Sequence, residues 1–144
     1  MKKYKDEIIA GLIALLVIGL VCIQRNFVAN LKKNGVYTAC KIVDFKGEKG
    51  AMGIIFDLYY KSDTLRLERQ QYGDLLDNSQ MRDKYFLIRV DPKNLNSNRI
   101  LLRYELTPSI AKQIDTGVLE LGQVLILPGV IIHEDILHYH DGIR

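Results

Sequence analysis

The feature that most constrains this chain is a run of apolar residues near its N-terminus that contains no charge. Residues 8–23 read IIAGLIALLVIGLVCI, and Gln24 extends the uncharged stretch to Arg25. As an α-helix, these sixteen residues span about 24 Å, near the roughly 30 Å of a bilayer's hydrocarbon core. The run lacks the polar face of a helix that packs on a soluble core. The sequence therefore predicts a short tail at 1–7, a transmembrane helix at 8–24 and a polar juxtamembrane linker at 25–34, which either ends the helix or continues it for a turn or two.

A cleaved signal peptide is the main alternative to an uncleaved anchor, because lysines precede the apolar run. Asp6 and Glu7 stand directly before the run, where a signal peptide is usually basic. The segment 27–29 resembles a cleavage site but begins with Phe27, where a small residue is needed. Cys22 follows a valine, which suits lipid modification poorly. These observations favour an uncleaved signal-anchor over a secreted protein or a lipoprotein.

Positive charges flank the apolar run on both sides and give little guidance on orientation. They are Lys2, Lys3 and Lys5 before it, and Arg25, Lys32, Lys33 and Lys41 after it. A folded domain of this size crosses a membrane largely regardless of charge, and the N-terminal tail is short. We expect the N-terminus inside the cell and the domain outside the cytoplasm.

From Gly35 the hydrophobic pattern changes from helical to a period of two, which predicts β-strands. Five such segments are separated by turn signals and make an antiparallel β meander or small barrel over residues 35–106. Residues 72–83 interrupt the pattern and indicate a loop or a single helical turn. The predicted fold class is mainly β, with the core formed by Ile42, Ile54, Phe56, Leu58, Leu67, Phe86, Ile88, Leu102 and Tyr104.

The C-terminal extension, residues 107–144, gives a mixed signal. Thr107 followed by Pro108 is typical of a helix start. Apolar residues then recur at helical spacing until Pro128. Residues 124–127 and 130–132 fit short strands equally well, and the second of these has the composition of a buried strand. The extension therefore contains a short helix, strands or both.

The stretch from Gly35 to Leu102 resembles a known group of domains. It reads GVYTACKIVDFKG, then IIFDLYYKSDTLRL, then KYFLIRVDPKNLNSNRILL, where residues 91–94 match a late Asp-Pro-x-Asn turn. In these features it is similar to the DUF3592-like group of small membrane-anchored bacterial domains found in Bacteroidetes-type bacteria. The resemblance implies a small β domain on a membrane anchor and brings no catalytic residues with it.

The histidines form the sharpest candidate site. All three lie within residues 133–141, together with three acids. On a strand, His138 and His140 would share one face about 7 Å apart, and His133 or an acid could supply a third ligand. Imidazole and carboxylate groups bind Zn²⁺ and similar ions, so His133, His138 and His140 are the candidate metal ligands. The alternative is a solvated polar tail near the end of the chain.

Catalysis has little support in the sequence. The chain has no G-x-S-x-G elbow, no phosphate-binding P-loop and no H-E-x-x-H motif. Cys40 lies inside a predicted strand, where a buried apolar role suits it better than a nucleophilic one. We therefore expect no enzyme activity and no cofactor.

The distribution of charge bears on partners. Basic residues between 25 and 49 suggest an anionic surface, although they also suit flanking charges and ordinary strand surfaces. Acids accompany the tyrosines throughout, which argues against nucleic acid. Small residues such as Gly11 and Ala14 in the run permit weak homodimerisation through the anchor. The function expected is non-catalytic binding of a protein or envelope component by a single-pass, membrane-anchored β domain. The alternative is a metal-binding envelope protein that uses the C-terminal His/Asp/Glu cluster.

Overall fold

The chain forms one long N-terminal helix followed by a mainly β domain. The computed structural model describes residues 2–48, 51–71, 78–115 and 121–134. In chain order the elements are α1 (Lys2–Asn34), β1 (Val36–Glu48), β2 (Ala51–Tyr60), β3 (Asp63–Gln71), α2 (Asn78–Met81), β4 (Tyr85–Asp91), β5 (Asn94–Leu106), α3 (Pro108–Gln113), α4 (Leu121–Leu125) and β6 (Val130–Ile132). The predicted fold class, an apolar helix followed by an antiparallel β domain, is confirmed.

Within the described residues, six strands form one sheet in the order β3-β2-β1-β4-β5-β6, and all neighbours are antiparallel. The hairpin between β2 and β3 turns through Lys61 and Ser62, both with positive φ, as a tight two-residue turn requires. The side chain of Arg69 on β3 donates to Asn98 Oδ1 on β5 over 3.4 Å, although these strands are not neighbours. The sheet is therefore strongly curled and has the shape of an open barrel.

The concave face of the curled sheet carries the larger apolar cluster, which we term the inner cluster. Its buried members are Cys40, Ile42, Ile54, Phe56, Leu58, Met81, Phe86, Ile88, Val90, Ile100 and Leu102. Leu67 packs against it and is partly buried. Apart from Tyr104, the predicted core is therefore confirmed, because strict alternation places these side chains on one face of their strands.

The convex face carries a second apolar cluster, the outer cluster, that the predicted core did not include. The sheet contributes Tyr37, Ala39, Leu87, Leu101 and Leu106; Ile110, Ala111 and Ile114 on and after α3, with Val124 of α4, cover them. Tyr104 packs on this face, so its predicted place with Leu102 is wrong. The cause is a register shift between Phe86 and Leu87 of β4, where β5 bulges and the alternation changes face.

The C-terminal extension closes the outer face. Helix α3 begins at Pro108 after Thr107, as predicted. Residues 124–127 do not form a strand, because helix α4 covers the first two of them. Val130–Ile132 is a strand, but Ile131 and Ile132 are 47% and 46% exposed, so the prediction that it is buried is wrong. The physical reason is that, among the described residues, β6 pairs with β5 alone and lies at the sheet edge.

Candidate functional site at the junction of helix and sheet

Helix α1 presents apolar side chains outward along most of its length. Within it, residues 7–34 are long and apolar enough to cross a membrane. Leu15 and Ile23 are each 68% exposed, and the other large apolar residues of the run are exposed in the same way. Residues 25–34, which the sequence suggested as a polar linker, continue the helix without a break. The helix therefore reaches the β domain directly.

The last turn of α1 is fixed to the sheet by close contacts. Leu31 is only 4% exposed, in contrast to the apolar residues before it. Arg89 of β4 donates from Nη2 to the carbonyl oxygen of Lys32, and its guanidinium lies 5.2 Å from the ring centre of Tyr37 on β1. A guanidinium at this position satisfies a terminal helix carbonyl and favours the negative end of the helix dipole. These contacts join helix, β1 and β4 into one unit.

Gly35 makes this close approach possible. Its N–H donates to the carbonyl oxygen of Leu31 over 3.0 Å, which ends α1. A Cβ at this position would lie 2.3 Å from that oxygen and 2.7 Å from Nε of Arg89. Any other residue would push the helix end and the arginine apart, so glycine is required by space at this point.

A groove opens beside this junction, between the end of α1 and two strands of the sheet. We call it the junction groove; it is small, with a volume of about 50 Å³, or about 320 Å³ when the open solvent at its mouth is included. Its lining consists of Phe27, Val28, Leu31 and Lys32 of α1, Arg69 of β3 and Arg99 of β5. One wall is thus mainly apolar, and the other is contributed by two arginines.

The two arginines of the groove repel each other. The pKa of Arg69 is lowered to about 10, first by burial and second by the charge of Arg99. Both groups remain cationic at neutral pH. A half-buried positive charge beside another positive charge favours an anionic partner, because an anion would offset both the lost hydration and the repulsion.

Lysines that the sequence grouped with the basic stretch lie elsewhere and have acidic partners. Lys41 Nζ lies 3.2 Å from a carboxylate oxygen of Asp83, and Lys46 Nζ lies 3.2 Å from one of Glu68. Both pairs are on the sheet surface, where an ion pair contributes little to stability. Of the basic stretch, Lys32 therefore lies at the groove, whereas Lys41 and Lys46 belong to ordinary surface pairs.

Of the predicted metal ligands, the structure places only His133, since His138 and His140 lie outside the described residues. The Nε2–H of His133 donates to Glu105 Oε2 over 2.7 Å, and Lys84 Nζ donates to the same oxygen over 3.0 Å. Among residues 2–48, 51–71, 78–115 and 121–134, no three His, Cys, Asp or Glu side chains converge on a metal position. The three-histidine metal site stays a prediction.

Two further side chains of the sheet could in principle act as a nucleophile or a base, one fully buried and one partly buried. Cys40 is fully buried, and burial raises the pKa of its thiol far above the ordinary range. Burial, followed by the neighbouring Tyr85 with its ring centre at 6.0 Å, raises the pKa of Tyr59 to about 12. Both groups stay protonated at neutral pH, which suits packing rather than nucleophilic or base chemistry.

Comparison of the chain with family models, with curated proteins and with solved structures gives no match. The resemblance to the DUF3592-like domains therefore stays a prediction.

Sequence reasoning missed the three arginines that define the junction. Arg89 was open to prediction, because it is the one charge between the apolar residues 86–88 and Val90 of a strand. A charge inside a strand that is buried on both faces needs a specific partner. Arg69 and Arg99 carry no such signal, since each stands among polar residues and their proximity arises only from the curl of the sheet.

Proposed function

We propose that this chain is a single-pass membrane protein that holds a non-catalytic β domain against the membrane surface to bind a protein or envelope component. In this proposal α1 is the uncleaved anchor in a bacterial inner membrane, and the β domain lies outside the cytoplasm.

One observation carries the proposal: the apolar helix continues without a break into a junction that is packed and hydrogen-bonded to the sheet. Leu31, Gly35 and Arg89 leave no free linker between the two. A domain joined in this way keeps a constant height and orientation above a bilayer. This arrangement suits a module that presents a fixed surface to a partner.

The edge at β6 supports a protein partner. Ile126, Ile131 and Ile132 are 82%, 47% and 46% exposed, and they lie at or just before the edge strand. In the part of the chain that the structure describes, the outer edge of β6 has no neighbouring strand, and such an edge beside apolar side chains is a favourable surface for contact with another chain. The protonated states of Cys40 and Tyr59 also favour binding over catalysis.

Alkaline carbonate washing of membranes tests the anchoring. We expect the full chain to stay in the membrane pellet with its N-terminal residues retained. Leu12→Arg together with Leu16→Arg should release it, because a charge at the centre of a span disfavours insertion by about 2.5–3.5 kcal/mol per residue. The matched control is Leu65→Arg on the surface of β3, which is 39% exposed and should stay in the pellet.

Release of the unaltered chain by carbonate would contradict the anchoring. So would an N-terminus that begins near Asn30, or a lipid-modified Cys22. Protease added to intact spheroplasts tests the orientation: we expect the β domain to be digested, and protection until lysis would place it in the cytoplasm.

A further inference from the structure

The height of the junction groove follows from the position of the uncharged run. Residue 16 is the centre of 8–24, and Phe27 and Lys32 follow it by eleven and sixteen residues. At a rise of 1.5 Å per residue, they lie about 17 Å and about 24 Å from the bilayer centre. The hydrocarbon core ends at about 15 Å and the headgroup layer at about 22 Å. The groove thus lies at the level of the lipid headgroups if α1 spans the bilayer.

The two walls of the groove match the two parts of a phospholipid. Phe27 and Val28 are 36% and 39% exposed and continue the apolar surface of the helix to just outside the hydrocarbon core, where the ester end of an acyl chain can lie. Arg69 and Arg99 face them from the sheet, with Lys32 at the end of the helix. Guanidinium groups bind phosphate oxygens through paired hydrogen bonds. A quaternary ammonium group beside the phosphate would add a positive charge close to Arg69 and Arg99, so an anionic headgroup is favoured over a zwitterionic one.

Burial strengthens this preference. Arg69 is only partly exposed, and its neighbours include a second arginine. Its hydrogen bond to Asn98 Oδ1 is 3.4 Å long and has a neutral acceptor, so this bond does not offset the charge of Arg69. A phosphate in the groove would face both guanidiniums, and the low local dielectric would strengthen each contact.

We propose that the junction groove binds the phosphate of an anionic phospholipid headgroup through Arg69, Arg99 and Lys32, with the ester end of an acyl chain at Phe27 and Val28. The proposal rests on the membrane anchoring proposed above. It assigns the lipid surface as the partner of the membrane-proximal end of the domain, which is separate from the protein partner expected at β6.

Calorimetric titration of the detergent-solubilised full chain tests this assignment. The probes are dioctanoyl phosphatidylglycerol, dioctanoyl phosphatidylcholine and inorganic phosphate. We expect phosphatidylglycerol to bind more tightly than either of the others. Arg99→Gln and Lys32→Gln should each weaken phosphatidylglycerol binding about fivefold, the usual contribution of one basic residue at an anionic surface.

Arg66→Gln is the matched control, because it removes the same charge from the same strand as Arg69 but outside the groove. It should leave lipid affinity unchanged. Arg69→Gln should weaken binding as well, and its melting temperature without lipid shows whether the variant folds. Lys32 is exposed, so we expect Lys32→Gln to fold. Its lipid affinity therefore tests the proposal even if Arg69→Gln fails to fold.

Equal affinity for phosphatidylcholine and phosphatidylglycerol would overturn the proposal. Unchanged affinity in both Arg99→Gln and Lys32→Gln would do the same, and so would inorganic phosphate that binds as tightly as the lipid. If the chain stays in the membrane after the carbonate wash but fails this titration, only the lipid-binding proposal is refuted. If carbonate releases the chain, both the anchoring and the lipid-binding proposals are refuted.

Discussion

Helix α1 and the sheet contain the same kinds of apolar side chain in opposite environments. Leu15 of α1 is 68% exposed, whereas Leu58 of β2 is fully buried in the inner cluster. The sheet follows the rule for a soluble domain, in which every second side chain of a strand is buried in an apolar core. Residues 8–24 of the helix are apolar on all sides, a pattern typical of a protein core or a membrane span. The comparison shows that the sheet buries its apolar side chains whereas α1 exposes them, as the proposed membrane anchoring requires, and that the two regions meet at Gly35.

A pair of identical substitutions tests this contrast most strongly. Leu58→Ala should destabilise the β domain by about 2–5 kcal/mol, because it leaves a cavity in a fully packed core. Leu15→Ala should leave the melting temperature of the β domain unchanged, since the side chain has no part in that core. Thermal melts of the full chain in detergent measure both. Equal effects of the two substitutions would contradict the separation of the two regions.

A second pair tests the junction itself. Gly35→Ala forces a methyl group against Leu31 O and Arg89 Nε and should cost about 1–3 kcal/mol, the usual range for overpacking. Gly47→Ala is the control, because a Cβ there meets nothing within 4 Å. Urea unfolding monitored by circular dichroism compares them. A neutral Gly35→Ala would mean that helix and sheet are not tightly joined.

Much of the fold could be predicted from the sequence because alternation is a local signal. The inner face of β1, β2 and β4 follows the period of two, from Ile42 to Ile88. Tyr104 was misplaced because a bulge in β5 depends on how that strand pairs with β4, which no local pattern contains. The outer cluster was missed for a related reason: it exists only because α3 and α4 return to cover Leu87 and Leu101.

The candidate site was far less predictable. Arg69 and Arg99 are thirty residues apart in the chain and meet only through the curl of the sheet. The basic residues that the sequence did single out include Lys41 and Lys46, which pair with acids on the surface. The charge pattern of the sequence cannot distinguish basic residues that line the groove from those that pair with surface acids, because the partners come from other strands.

The histidines give a third, smaller test. His133→Ala should destabilise the domain by about 1 kcal/mol, since it removes one half-buried hydrogen bond to the Glu105 carboxylate and leaves the Lys84 contact. Added Zn²⁺ should not raise the melting temperature of the full chain. A rise that His138→Ala and His140→Ala abolish would favour the metal-binding alternative, because a ligand of the folded state increases stability.

The smallest expected effect concerns the ion pairs on the polar surface of the sheet. Residues 8–24 of α1 carry no charged side chain and can form no such pairs. Asp57 accepts hydrogen bonds from Arg66 Nε at 2.8 Å and Nη2 at 3.0 Å. These bonds, and secondarily the charges of Arg66 and Lys41, hold the pKa of Asp57 below its ordinary value, against the opposing effect of burial. A carboxyl group whose pKa is lower in the folded state stabilises the fold above its unfolded pKa of about 3.9.

That contribution is lost as the pH falls through the folded pKa of Asp57, because both states then bind the proton. Asp57→Asn should therefore lower the melting temperature slightly at neutral pH, and the difference from the unaltered chain should shrink below about pH 4. Arg66→Gln should flatten the same part of the pH profile, since it removes the main cause of the shift. Melting temperatures measured in steps of pH test this, and Asp63→Asn in the adjoining hairpin controls for the loss of a carboxylate. Parallel profiles for Asp57→Asn and the unaltered chain would show that the Asp57–Arg66 pair does not stabilise the folded sheet in water.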